Sequence, residues 1–153
     1  MSYQSFEQVL QKCHTEEKEF WRVILEDDMA ERNVSEEDSM EHMRATWDAM
    51  LLAAATYEGN LNSSSGLVGG DGRRMEEYIR SAQTKSLCGE YVDTCIAGAL
   101  QMGESNACMK RIVAAPTAGA CGVLPAVLVP YFQKRCKDTD KILKSMYVAA
   151  GIG

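Results

Sequence analysis

Apolar residues recur along this chain at intervals of three and four, the spacing of amphipathic helices, and period-two alternation is scarce. Ser5 predicts the cap of a first helix running through Phe6, Val9 and Leu10 towards Met29. A break is expected near Asn33. Ser35-Glu36-Glu37-Asp38 then sets an acid three residues after a capping serine, close to a capping box. The helix it opens carries Met40, Met43, Trp47, Met50, Leu51 and Ala54 on one face, read as a core stripe, and Gly59 is expected to end it.

Residues 59–72 break the period. By composition the stretch reads as a linker, but Leu67-Val68 in its middle predicts that it docks onto something. Its hydroxyl and glycine residues also offer N–H and O–H groups to an anion. The helix that follows has Met75, Tyr78 and Ile79 on one side. Arg73 and Arg74 in its first turn oppose the helix dipole and would suit a nearby carboxylate or anion, although an ordinary exposed pair is the preferred reading.

A further helix is predicted over about Glu90 to Met102, with Val92, Cys95, Ile96 and Ala99 inward. Ile112-Val113 could form a short extended piece. A helix from near Ala120 accepts Pro125 in its first turns and should kink or end at Pro130. Asp138 or Asp140 caps a last helix through Ile142, Leu143, Met146 and Val148. The predicted fold class is all-α: a single helical domain, residues 1–153, with a glycine-rich loop and at most one or two extended pieces. Because the last helix stops in mid-pattern at Ala150-Gly151-Ile152-Gly153, the domain is expected to be truncated at its C-terminal end.

With 153 residues, 46% hydrophobic and 25% charged, the chain can bury a core and is not expected to be disordered. Its net charge of −6 argues against a nucleic-acid partner, which needs a basic face. Lys134, Arg135, Lys137, Lys141 and Lys144 are the local exception and are read as a solvated face. The N-terminus lacks the apolar core of a signal peptide, and the run Ala114 to Tyr131 is too broken by Gly and Pro to cross a membrane, so a cytoplasmic protein is expected.

The six cysteines are widely spaced and read as reduced thiols. Cys88 and Cys95, seven apart, are expected to share a buried helix face. Neither histidine lies near a cysteine pair, so a zinc site is not expected.

The segment Ala115-Pro116-Thr117-Ala118-Gly119-Ala120-Cys121-Gly122 joins two apolar runs. A cysteine between small residues leaves room at its sulfur for a bulky group, which suits metal or thiolate chemistry. It equally suits a tight turn into a buried helix, with Cys121 a small core residue. Both readings stay open on turn chemistry alone.

The block APTAGACGVLP, preceded by Asn106-Ala107 and Arg111-Ile112-Val113, resembles the α-chain of bacterial iron–sulfur L-serine dehydratases. Ser65-Gly66-Leu67-Val68-Gly69-Gly70-Asp71 and Ser86-Leu87-Cys88-Gly89 agree in order and spacing over nearly the whole chain. The resemblance implies elimination of water from L-serine, giving pyruvate and ammonia after aminoacrylate hydrolysis. It implies a [4Fe–4S] cluster in place of pyridoxal phosphate, with an open iron acting as Lewis acid on the β-hydroxyl. It matches Cys121 to the first cluster cysteine, with the other ligands beyond Gly153. Thr117 and Gly119 match the loop that holds it. Ser65, Gly66, Asp71 and Asn106 match positions that could touch the substrate carboxylate or amine. The catalytic base is not identified, and Cys88, Cys95, Cys108 and Cys136 match no ligand.

One departure is Lys110, where the family pattern has glycine. The resemblance further implies a β-chain or β-domain as partner and allows a homo-oligomer. No pyridoxal-phosphate lysine motif, P-loop or dinucleotide glycine pattern occurs. The competing reading is a non-catalytic helical module that binds a partner, or an inactive fragment, with Cys121 simply buried.

Overall fold

The computed structural model describes residues 3–81, 86 and 88–153. Seven α-helices, α1 Phe6–Thr15, α2 Phe20–Arg32, α3 Glu36–Ala55, α4 Asp71–Arg80, α5 Glu90–Ala107, α6 Val123–Tyr131 and α7 Thr139–Ile152, account for most of them. No strand occurs among the described residues, so the fold is all-α, and Ile112-Val113 belongs to an irregular connection. Backbone contacts group the residues into two compact units. One comprises the chain up to Trp47 together with Asp138–Gly153, the other Asp48–Lys137. Leu87, in one of the matched segments, lies outside the described residues.

The first unit contains α1, α2, the start of α3, and α7. The predicted long first helix is two. Thr15 ends α1, Glu17 takes a left-handed conformation (φ 51°), and the Lys18 N–H closes back on the Cys13 carbonyl at 3.0 Å. That is a helix stop made without glycine, so composition gave no warning of it. The expected stop at Asn33 has the same form, with φ 53° and Val34 N–H on the Met29 carbonyl. The Ser35 hydroxyl accepts from the Asp38 N–H at 3.1 Å, and Asp38 accepts from the Ser35 N–H at 3.2 Å. The capping box is therefore complete, with aspartate in place of glutamate.

Val9, Val23, Ile24, Leu25 and Tyr147 form this unit's core. Tyr147, on α7 beside the predicted Ile142, Leu143 and Met146, is buried, whereas Val148 is only half-buried. Its hydroxyl lies 2.6 Å from that of Ser39, which donates to Asp28, and Asp28 takes two hydrogen bonds from Arg32. Asp138 caps α7 by accepting from the Lys141 N–H at 3.2 Å.

In the second unit α5 packs on α4 and on α6. Its orientation corrects the sequence expectation. Val92 and Ile96 are each 42% exposed and Ala99 is exposed, while Asp93, Ala97, Met102, Glu104 and Ser105 are buried. Cys88 is exposed and Cys95 half-buried, so the two do not share a buried face. The small residues decide this. A Cβ on Gly98 would lie 3.3 Å from the Ala126 Cα, and one on Gly122 3.0 Å from the Ala99 carbonyl. The close α5–α6 approach thus runs along the glycine side of α5 rather than its valine and isoleucine side. Pro130 stays inside α6, and the missing N–H is followed by a wide π turn over Phe132–Cys136.

Candidate functional site

The last two turns of α5 organise the second unit. Glu104 is 2% exposed, and its carboxylate is fully used. One oxygen accepts from the N–H groups of Asp71 and Gly72, the latter at 3.1 Å, and the other accepts from the Tyr57 hydroxyl at 2.5 Å. A buried acid thus sits at the N-terminus of α4, where the helix dipole favours negative charge. Burial first, and then the Glu104 carboxyl, push the Tyr57 phenol well above its ordinary value. Gly72 is required here, since a Cβ would fall 2.7 Å from Gln101 Cγ and 2.9 Å from the Tyr57 oxygen. The carboxylate that Arg73 and Arg74 suggested is therefore present, but it binds the backbone. The arginines themselves are an exposed pair, Arg73 with Glu77 at 3.6 Å and Arg74 with Asp71.

Upstream of α4 the serine- and glycine-rich segment is a folded loop. Ser63 donates its N–H to the Val68 carbonyl at 2.8 Å, and its hydroxyl accepts from the Val68 N–H and lies 3.1 Å from the Ser65 hydroxyl. Gly66 takes φ 70°, and its N–H donates to the Ser63 carbonyl at 2.9 Å. The loop leaves Ser65, Gly66, Leu67 and Asp71 exposed. Leu67 is 87% exposed, so the expected docking of Leu67-Val68 is made only by the half-buried Val68.

Two residues beyond Glu104, the Asn106 side-chain amide donates to the Ala118 carbonyl at 3.0 Å. The Thr117 hydroxyl accepts from the Ala120 N–H at 3.3 Å and caps a short 3₁₀ turn over Ala118–Ala120. Cys121 follows, 2% exposed, with its Sγ 3.9 Å from the Met102 carbonyl. Burial pushes its thiol above the ordinary value. The end of α5 therefore fastens both predicted segments, Ser65–Asp71 through Glu104 and Thr117–Cys121 through Asn106. Sequence reasoning singled out Asn106 and missed Glu104 and Tyr57. The cue for Glu104 was a carboxylate near a helix whose first turn carries two arginines. Lys110, the departure from the family pattern, points outward and pairs with Glu58 at 3.3 Å, while Met109 before it adopts φ 59°.

Among the described residues no three His, Cys, Asp or Glu side chains gather as metal ligands. Cys121 offers a single thiol, so the residues here do not by themselves fit a four-iron cluster. A cavity of about 320 Å³ adjoins this region, with Met102 and Pro125 in its wall. Its polar groups include Glu76 and Gln101, already joined at 2.7 Å, and none of the predicted site residues lines it.

The family model for the serine dehydratase alpha chain matches residues 15–153. The chain belongs to that family. It is 30% identical over 150 residues to the L-serine dehydratase alpha chain of Peptoniphilus asaccharolyticus, covering 95% of this chain and 50% of the relative. It is 30% identical over 131 residues to the probable L-serine dehydratase alpha chain of Bacillus subtilis, covering 86% and 43%. A 53-residue stretch is 43% identical to the L-serine dehydratase TdcG of Escherichia coli, covering 35% and 12%. The chain thus spans half or less of the length of these curated relatives. No solved structure matches it. No helix among the described residues is long and apolar enough to cross a membrane.

Proposed function

We propose that this chain forms part of a cytoplasmic L-serine ammonia-lyase, converting L-serine to pyruvate and ammonia together with a beta chain or beta domain. Residues 1–153 belong to the enzyme's alpha-type helical portion. The observation that carries this reading is the joining of the two family-like segments at one place, the C-terminal end of α5, by Glu104 and Asn106.

In this reading the exposed Ser65 hydroxyl binds the substrate carboxylate and Asp71 binds its ammonium. Gly66 supplies the positive-φ turn that presents Ser65. Glu104 and Tyr57 hold the start of α4, and with it Asp71. Asn106 and Thr117 hold the Thr117–Cys121 turn, with Gly119 leaving its exposed side clear. Of this chain's residues only Cys121 would hold the [4Fe–4S] cluster, as a single thiolate ligand, and the other ligands would come from outside the described residues; bound there, the cluster would supply a Lewis acid for the β-hydroxyl.

The test is pyruvate formation from L-serine under anaerobic iron and sulfide reconstitution. The chain is assayed alone, and after co-expression with the part of the Peptoniphilus alpha chain outside the match and with a beta chain. Turnover only in the combined preparation supports the reading. Absence of turnover in the combined preparation contradicts it.

A further inference from the structure

The α5–α6 pair buries one side and shows the other. The exposed side carries Val92, Ile96 and Leu100 on α5 and Val123, Val127 and Tyr131 on α6, each set at i, i+4, i+8. Val123 and Val127 are 59% and 49% exposed. The two stripes form one face, and the packing shows why. Gly98 meets Ala126, and further along α5 Ala99 and Met102 meet Gly122, so the helices run antiparallel. In α6 each exposed residue follows by one position a residue on the packed side: Val123 after Gly122, Val127 after Ala126. In α5 Val92 likewise follows Tyr91, whose hydroxyl donates to the Val127 carbonyl. A one-residue advance turns about 100° around a helix, and in an antiparallel pair it turns both stripes to the same side.

This face carries no charge. Residues 94–103 and 123–131 contain no Asp, Glu, Lys or Arg, and at one edge Glu90 and Lys134 pair with each other at 2.9 Å. Six large apolar side chains in one exposed, chargeless patch mark an interaction surface. Two rows of apolar side chains on adjacent antiparallel helices make the kind of surface against which a third helix packs its own ridge.

We propose that this face seats an amphipathic helix from the part of a serine dehydratase alpha chain that lies outside this chain's match. The inference rests on the family reading under Proposed function. The relatives supply the occupant: the match covers 50% and 43% of their alpha chains, so about as much polypeptide again belongs to the same molecule. In those relatives the segment is carried in the same molecule as the matched part, where it acts at an effective concentration of roughly millimolar. Since the face is uncharged, the association is driven by apolar burial and depends little on salt.

The test co-expresses this chain with the tagged part of the Peptoniphilus alpha chain outside the match, and measures affinity and stoichiometry. Ile96→Glu and Val127→Glu are made separately, both at exposed positions, and checked by circular dichroism for retained helix. The expected result is a one-to-one complex, insensitive to salt, that each substitution weakens by about tenfold or more. No complex, or a complex that both folded variants form equally well, overturns the inference. So does a homodimer of this chain that the substitutions dissociate, which assigns the face to a second copy. Binding is the only readout, so a complex that forms no pyruvate leaves this inference standing and defeats only the catalytic reading.

Discussion

Tyr57 donates its hydroxyl to Glu104 at 2.5 Å, and with the Asp71 and Gly72 N–H groups it uses both oxygens of that buried carboxylate. Removing the acid strands three donors. Glu104→Ala should therefore lose several kcal/mol, at about 1–3 kcal/mol for each unsatisfied group. Glu104→Gln keeps one acceptor for the α4 N–H groups but faces Tyr57 with an amide. It should lose less, with about 1 kcal/mol of that from the missing charge at the helix N-terminus. Thermal melts of the two variants check the order; equal losses would contradict it.

Gly72→Ala tests the same contact from the other side. The added methyl meets Gln101 Cγ and the Tyr57 oxygen closer than atoms can pack. The variant should be destabilised by about 1–3 kcal/mol as α4 is pushed from α5. Gly103→Ala, where a Cβ meets nothing within 4 Å, is the control and should be neutral or slightly stabilising. Equal melting temperatures for the two variants would count against the packing described.

In the first unit, burial of Asp28 works against its ionisation, but hydrogen bonds from Arg32 and Ser39 outweigh that and hold the carboxyl below its ordinary value. A depressed carboxyl stabilises the fold above its unfolded value of about 3.9. That stability is lost as pH falls through the lower folded value. Asp28→Asn should flatten the acid limb of the melting temperature against pH, leaving a smaller drop between neutral pH and about pH 3. An unchanged acid limb would exclude Asp28 from it.

Thiol reactivity should follow burial. Cys88 is exposed, whereas Cys121 is buried and its thiol is pushed up, away from the reactive thiolate. Timed alkylation read by mass spectrometry should label Cys88 first and Cys121 last. Early labelling of Cys121 would mean that its loop opens readily.

Much of this was legible in the sequence because it was local. Ser5, whose hydroxyl accepts from the Gln8 N–H at 3.4 Å to cap α1, Asn33, the Ser35–Asp38 box and Asp138 act within a few residues of themselves, and the structure has all four. The Thr117–Cys121 turn was legible for the same reason. The break at Glu17 was not, because a glutamate took the left-handed position that glycine usually signals. The face of α5 was misread because apolar residues ring that helix. Gly98 and the close approach of Ala126 decide which side is buried, and that partner lies far along the chain. Glu104 escaped notice because its partners, Tyr57, Asp71 and Gly72, are 32 to 47 positions away.

We propose that the Thr117–Cys121 turn, fastened by Asn106, is where this chain enters the chemistry of an L-serine ammonia-lyase. The most direct measurement compares wild type with Cys121→Ser in the anaerobically reconstituted combination of this chain, the rest of the family alpha chain and a beta chain. Bound iron and pyruvate formed from L-serine are read on the same samples. The variant is expected to lose both while keeping its helical spectrum, since serine is a poor ligand for soft iron–sulfur sites. Cys95→Ser is expected to retain both. A Cys121→Ser protein that keeps its iron and its pyruvate formation would rule out Cys121 as a cluster ligand.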